Sequence, residues 1–221
     1  MKKDKIDNLL KKIEKAENSK VLLYFTNDYP NPPFSTQIGT DTIPLLKNVL
    51  EKQGESKRKT LILNTNGGIL ESAWPIVSLI REYTTEEFEI IIPSKSLSVG
   101  TLISLGADKI KMCKGSFLSP IDPTGNFLIK NGKNIENKQC SVEDIMGYIK
   151  FAKEKIGLAD QESLTEVLRL ITTEFSSSII GSLNRTHSLI RNLSQKMIET
   201  RLSDGKYDHD KLKQISSNLI E

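Results

Sequence analysis

Only two cysteines occur in the chain, Cys113 and Cys140, and they lack metal-like or redox-like spacing. The 221 residues suffice for a real hydrophobic core, so no disulfide staple is required. Both cysteines read as bystanders, Cys113 in the strand-like "KIKMC" and Cys140 in a polar loop. Charge of one sign is also missing. Lys and Arg number 31 against 28 Asp and Glu, a formal net charge of +3, too balanced to argue for nucleic acid. The lysines interleave with acids and read as a solvated face. No apolar run approaches the ~18 residues of a membrane span. The first twenty residues are charged throughout and do not read as a signal peptide. The expectation is a cytoplasmic protein that does not span a membrane. Histidine is scarce, with His187 and His209 alone. Nucleotide fingerprints are absent: no G-x-G-x-x-G, and no Lys-Ser/Thr after a glycine loop. No cofactor and no metal are expected. There is no internal repeat and no low-complexity tract.

What the chain does have is a regular alternation of strands and helices. Ile6, Leu9, Leu10 and Ile13 at helical spacing predict a short amphipathic helix over about 5–16. "VLLYFT" (21–26), "TLILNT" (60–65), "FEIIIP" (88–93) and "KIKMC" (109–113) read as strands. "IPLLKNVLEKQG", "ILESAWPIVSLIREY" and "VGTLISLGA" read as the helices between them, the first stopped by Gly54. Pro75 within the second implies a kink or a later helix start. Such alternation indicates an α/β fold with a mostly parallel sheet. After about Gly125 the pattern changes. Asn131-Gly132 marks a hairpin or loop, and Ser141 with Asp144 makes a capping box. Helices then follow over roughly 164–180, 185–202 and 210–220. The expected organisation is an N-terminal helix (1–18), an α/β core (19–140) and a helical C-terminal region of the same domain (141–221).

Three stretches carry possible chemistry. In "NTNGG" (64–68) two glycines let the backbone turn sharply and bring N–H groups close to a ligand, suiting a carbonyl oxygen that becomes an anion. The alternative is a plain strand-to-helix turn. In "SLSVG" (96–100) Ser98 stands just before the expected helix, in a pattern like the G-x-S-x-G nucleophile elbow with Ser96 for the first Gly. The alternative is an N-cap serine. In "SFLSPIDPTG" (116–125) Asp122 either orients a base or caps a turn. The three stretches follow successive strands, and in open α/β sheets functional groups collect at the carboxyl ends of strands.

The run from "LILNTNGG" through "IIIPSKSLSVGTLISLGADKIKM" to "SPIDP" resembles the Clp-fold serine proteinases of the serine dehydrogenase proteinase type. These are relatives of signal peptide peptidase A and the Clp proteolytic subunit. The family pattern has Thr-Pro-Gly-Gly, Ser-Ala-Gly-Thr, Ala-Asp-x-Ile-x-Met and Gly-Pro-Ile-Asp-Pro. Here Asn66 stands for Pro, Val99 for Ala and Ser119 for Gly, with "ADKIKM" intact. The resemblance covers about 21–123 and continues more loosely beyond. It implies a Clp/crotonase-like spiral of β-β-α units, self-assembly into homo-oligomers, and peptide or protein substrates. It puts Ser98 at the nucleophile position and Gly67, Gly68 and the Val99 amide at the oxyanion positions. Ser94 and Ser96 are left as turn residues.

The general base is not given by the motif. Asp122 occupies roughly the place of the Clp subunit's histidine, and His187 and His209 read as surface residues. Relatives of the signal peptide peptidase A type use a lysine, which works when burial lowers its pKa. Lys150 is the first candidate, Lys138 the second, and Lys153 is also placed for it. The resulting expectation is an ATP-independent serine endopeptidase with a Ser–Lys dyad. The alternatives are a catalytically silent scaffold or regulatory subunit, and a crotonase-type acyl-CoA enzyme sharing the fold and the oxyanion turn.

Overall fold

Thr60, Leu61, Ile62 and Leu63 are all buried, although successive strand residues point to opposite faces. A strand covered on both faces is what a parallel sheet with helical crossovers requires. In the computed structural model the described residues are 3–28, 36–121, 124–131, 134–158, 160–201, 210, 211, 214, 217 and 218. The sheet strands are β1 (Lys20–Phe25), β2 (Ser56–Asn64), β3 (Thr84–Ile92) and β5 (Lys109–Met112), with β4 (Lys95–Ser96) and β6 (Phe117–Leu118) as a separate short pair. The four are parallel in the order β1-β2-β3-β5.

The chain divides into two compact units, Met1–Ile121 with Leu193–Leu219, and Asp122–Asn192 with Ile220–Glu221. This differs from the expected boundary at 140/141. The reason is local: the strand Asn134–Ser141 runs straight into a helix through Ser141, so the antiparallel strand pair and the helices go together.

In the first unit, helix α1 (Lys3–Glu17) precedes β1, and α2 (Thr42–Gln53) ends at Gly54, whose φ of 69° is a glycine conformation and whose N–H donates to Leu50 O at 2.8 Å. After β2 comes a 3-10 turn (Leu70–Ser72), then α3 (Ala73–Glu82). Pro75 lies in the first turn of α3, where its missing N–H has no intrahelical partner to lose. The single long helix over 69–83 is thus replaced by a later start. Helix α4 (Val99–Leu105) is buried along its whole length. Its Leu102 and Ile103 join Leu63, Ile76, Ile80, Ile90 and Ile92 among the fully buried apolar side chains. Gly106 closes α4, and a Cβ there would stand 2.6 Å from Val77 Cγ1.

In the second unit, β7 (Thr124–Asn131) and β8 (Asn134–Ser141) pair antiparallel, with Asn131 opposite Asn134. Ser141 caps α5 (Val142–Lys150) in the expected capping box: Asp144 N–H donates to Ser141 Oγ at 3.0 Å, and Ser141 N–H to Asp144 Oδ2 at 3.1 Å. A π-helical turn (Phe151–Ile156), α6 (Gln161–Glu174) and α7 (Ser177–Arg201) follow. The break between the long helices falls at 175–176, earlier than the periodicity predicts. Ile145, Ala152, Val167, Ile171, Phe175 and Leu183 form this unit's own core. The predicted last helix lies largely outside the described residues. No helix among the described residues is long and apolar enough to cross a membrane.

Candidate active site

Parallel strands end on the same edge, so the loops after β2, β3 and β5 have a common side. Backbone bonds join them there. Thr65 N–H donates to Lys95 O and Leu97 N–H to Thr65 O, each at 3.1 Å, a parallel bridge between Thr65 and Ser96. On its other side β4 pairs with β6, Lys95 opposite Phe117 and Ser96 opposite Leu118. The Gly-Gly turn, the serine turn and the start of "SPIDP" therefore lie side by side.

Ser98 stands at the junction of this bridge and α4, with φ 49° and ψ −112°. These angles lie outside the regions that L-residues ordinarily occupy. They are not the extended angles of an N-cap, and the Ser98 side chain makes no capping bond. Ser98 is half-buried, and among the described residues its Oγ has no hydrogen-bond partner. Its N–H donates to Ser119 Oγ at 2.7 Å, and its C=O accepts from Leu102 N–H at 3.1 Å. The neighbouring serines differ from it. Ser94 is exposed, whereas Ser96 is fully buried in β4 with its Oγ 3.5 Å from Ser104 Oγ, so Ser96 is a strand residue instead of a turn residue.

The glycine turn faces Ser98. A Cβ on Gly67 (φ 97°) would stand 2.9 Å from Leu97 O, 3.0 Å from Ser98 Cβ and 3.5 Å from Val99 N. A Cβ on Gly68 would stand 2.2 Å from Ile38 O, because Ile38 passes directly behind it. Ile38 N–H donates to Gly67 O, and Ile69 N–H to Ile38 O, each at 2.8 Å. In such a parallel bridge the central residue, Gly68, sends its own N–H to the side away from Ile38. Among the described residues neither the Gly68 nor the Val99 N–H has an acceptor. The Gly67 N–H has one: it donates to Thr65 Oγ1 at 3.0 Å. Gly67 therefore supplies closeness where the motif led us to expect a third donor.

Asn66, at the family's proline position, has an N–H that needs an acceptor, and Thr26 Oγ1 provides it at 3.3 Å. Its Nδ2 donates to Asn27 O at 3.3 Å and to Asp28 Oδ1 at 3.4 Å. Lys95 Nζ pairs with the same carboxylate oxygen at 2.8 Å. That ammonium, bonded to Asp28, holds the Asp28 carboxyl below the usual range. Beside the turn a cleft of about 500 Å³ is lined by Phe25, Thr26, Ile38, Asp41 and Ile69 among others.

The expected bases all fall in the second unit or outside the description. Lys150 ends α5 with an exposed side chain, and Lys153 is exposed in the π-helical turn. Lys138 lies on β8 opposite Phe127. Asp122 and His209 lie outside the described residues. His187 Nε2 is 3.8 Å from Glu143 Oε1. Cys113 is exposed and unpaired with another cysteine. Among the described residues no cluster of three or more His, Cys, Asp or Glu side chains is placed to hold a metal ion.

In this Clp-like α/β fold, Ser98 at a strand-to-helix turn thus stands against the Gly-Gly turn at one end of a parallel sheet. Residues 39–145, just under half of the chain, match the family model of the ClpP-like SDH-type serine proteinase. The resemblance carried by the motifs is thereby shown over that stretch. The uncharacterized protein MJ0137 of Methanocaldococcus jannaschii is 40% identical over 63 residues, covering 28% of this chain and 22% of that protein. Its uncharacterized protein MJ1495 is 36% identical over 63 residues, covering 28% and 21%. The match thus spans about a fifth of each relative's length. The solved structure of a membrane-bound stomatin-specific protease, a mutant form, aligns at 20% identity over 53% of this chain and 56% of that one, with a TM-score of 0.37.

Proposed function

We propose that this chain is a serine endopeptidase in which Ser98 Oγ is the nucleophile. The observation that carries the reading is the left-handed Ser98 backbone beside two N–H groups, Gly68 and Val99, that have no acceptor among the described residues. In the proposed reaction a base takes the Ser98 hydroxyl proton as Oγ attacks the peptide carbonyl carbon. The carbonyl oxygen becomes an oxyanion and accepts from the Gly68 and Val99 N–H groups. The base returns the proton to the leaving amine, and water then hydrolyses the acyl ester by the same steps. The cleft beside Ile38 and Ile69 is proposed to take a substrate side chain.

The base is proposed to be a lysine, Lys150 first, then Lys138 and Lys153, with Asp122 as the orienting group. A lysine must lose its proton near neutral pH to serve, which demands desolvation in the working enzyme. We further propose a cytoplasmic protein that self-associates and acts on peptides or proteins without a cofactor.

A fluorophosphonate probe tests the nucleophile. Wild type is expected to be labelled at Ser98 and Ser98→Ala to escape labelling; equal labelling of the two would remove the assignment. Lys150→Ala, Lys138→Ala and Lys153→Ala, assayed on a casein-type substrate, identify the base as the variant that loses activity while remaining folded. A wild type that resists the probe across pH 6–10 would turn the reading to the silent subunit.

A further inference from the structure

We infer that Ser119 is a positioning residue for Ser98, an inference that rests on the nucleophile reading above. The problem it solves is local. The β4 bridge ends with the Leu97 N–H, and α4 begins with Val99, so neither gives the Ser98 N–H an acceptor. A buried N–H without an acceptor costs free energy comparable to a lost hydrogen bond. Ser119 Oγ meets it at 2.7 Å.

The hydroxyl is itself oriented for this. Ser119 Oγ–H donates to Pro120 O at 2.9 Å, which leaves a lone pair for Ser98. Ser119 is in turn fastened to the helix that carries the serine turn. Thr101 Oγ1, fully buried on α4, lies 2.8 Å from Ser119 O and 2.9 Å from Ser96 O. The Ser98 peptide is thus gripped from both sides, by Ser119 at its N–H and by Leu102 at its C=O.

That grip matters because among the described residues nothing holds the Ser98 side chain itself. The direction of Cα–Cβ, from which Oγ projects, is set by backbone angles that an L-residue holds only when its surroundings impose them. The pattern that the chain resembles has glycine at position 119, which offers no side-chain acceptor. A hydroxyl acceptor for the nucleophile's own N–H is therefore supplied by one of the three residues at which this chain departs from that pattern.

Two readouts on the full chain test the inference. The first is amide exchange at Ser98, followed by NMR in wild type, Ser119→Ala and Ser119→Thr. Ser119→Ala is expected to speed it about tenfold, as loss of one hydrogen bond allows, while Ser119→Thr keeps the acceptor and stays near wild type. The second is fluorophosphonate labelling of Ser98, resolved into probe affinity and maximal rate. Ser119→Ala is expected to lower the maximal rate about tenfold with affinity unchanged, and Ser119→Thr to restore it. Unchanged exchange in Ser119→Ala overturns the contact. Faster exchange with an unchanged labelling rate overturns the positioning role and leaves a structural bond. No labelling of wild type overturns the nucleophile reading and this role with it, while the exchange data still report on the contact.

Discussion

Gly67 and Ser98 face each other so closely that a Cβ on Gly67 would stand 3.0 Å from the Ser98 Cβ. Gly67 also has a φ of 97°, so a side chain there meets both a contact and a backbone penalty. Gly54 separates the two effects, since its φ is 69° but nothing lies within 4 Å of its Cβ position. Gly54→Ala is expected to cost more than about 1 kcal/mol from the backbone alone, since φ 69° with ψ −178° is a glycine conformation. Gly67→Ala is expected to cost about 2–3 kcal/mol and to abolish probe labelling, because Leu97 and Ser98 must move. Urea unfolding of both variants measures the difference; equal losses would mean that the turn yields without disturbing Ser98.

The backbone of Ser98 makes a prediction that needs no activity. Glycine adopts positive φ without a Cβ clash. Ser98 Oγ has no bond to lose among the described residues. Ser98→Gly is therefore expected to raise stability by about 1 kcal/mol after the entropy of the freer unfolded chain is subtracted. Ser98→Ala keeps the Cβ and gains nothing comparable. Thermal unfolding of the two variants beside wild type decides it, and a Ser98→Gly less stable than Ser98→Ala would remove the strain.

Much of this site was legible because it is contiguous. "NTNGG" and "SLSVG" each sit at a strand end, and the order of strands puts them on one edge. What escaped depends on where a peptide plane points. Nothing in "TNGG" says that the Gly67 N–H will turn to Thr65 Oγ1 while Gly68 keeps its N–H free of Ile38. The Ser119 bond to Ser98 spans twenty-one positions and arises from β6 pairing with β4. The later start of α3 was carried by Pro75, whose ring fits the first turn of a helix as well as a kink. The unit boundary escaped because a capping box starts a helix without saying which core the preceding strand joins.

The "ADKIKM" motif holds the sheet, not the chemistry. Asp108 accepts from Arg81 Nη2 at 2.8 Å and from Phe88 N–H at 2.8 Å, and Arg81 Nη2 also reaches Gly106 O at 2.7 Å. Arg81 and Asp108 are only 21% and 17% exposed, so loss of either takes a charged partner from a group largely shielded from water. Asp108→Ala is expected to cost about 2–3 kcal/mol. Arg81→Lys cannot bridge both acceptors with a fork and is expected to cost at least 1 kcal/mol. Urea midpoints check both. A double variant that loses less than the sum of the two singles would show their coupling, and strict additivity would deny it.

Lys59 supplies the pH dependence. It is fully buried on β2, its Nζ donates to Gly54 O at 2.9 Å, and Lys20 lies opposite it on β1. Burial, and then the Lys20 charge, hold its pKa below the ordinary lysine value. The sign follows from which state binds the proton more tightly. With the folded pKa depressed, the unfolded chain holds the proton more firmly, so stability rises as pH climbs through the folded value toward about 10.4. Below that window both states are protonated, and the folded state bears the cost of the buried ammonium. Lys59→Met removes the titration and packs an uncharged chain of similar length. Other groups titrate in both proteins, so the informative quantity is the difference in Tm between wild type and Lys59→Met. That difference is expected to move in favour of wild type as pH rises toward about 10.4. A constant difference across the range would mean that Lys59 titrates in the folded protein as it does in the unfolded chain.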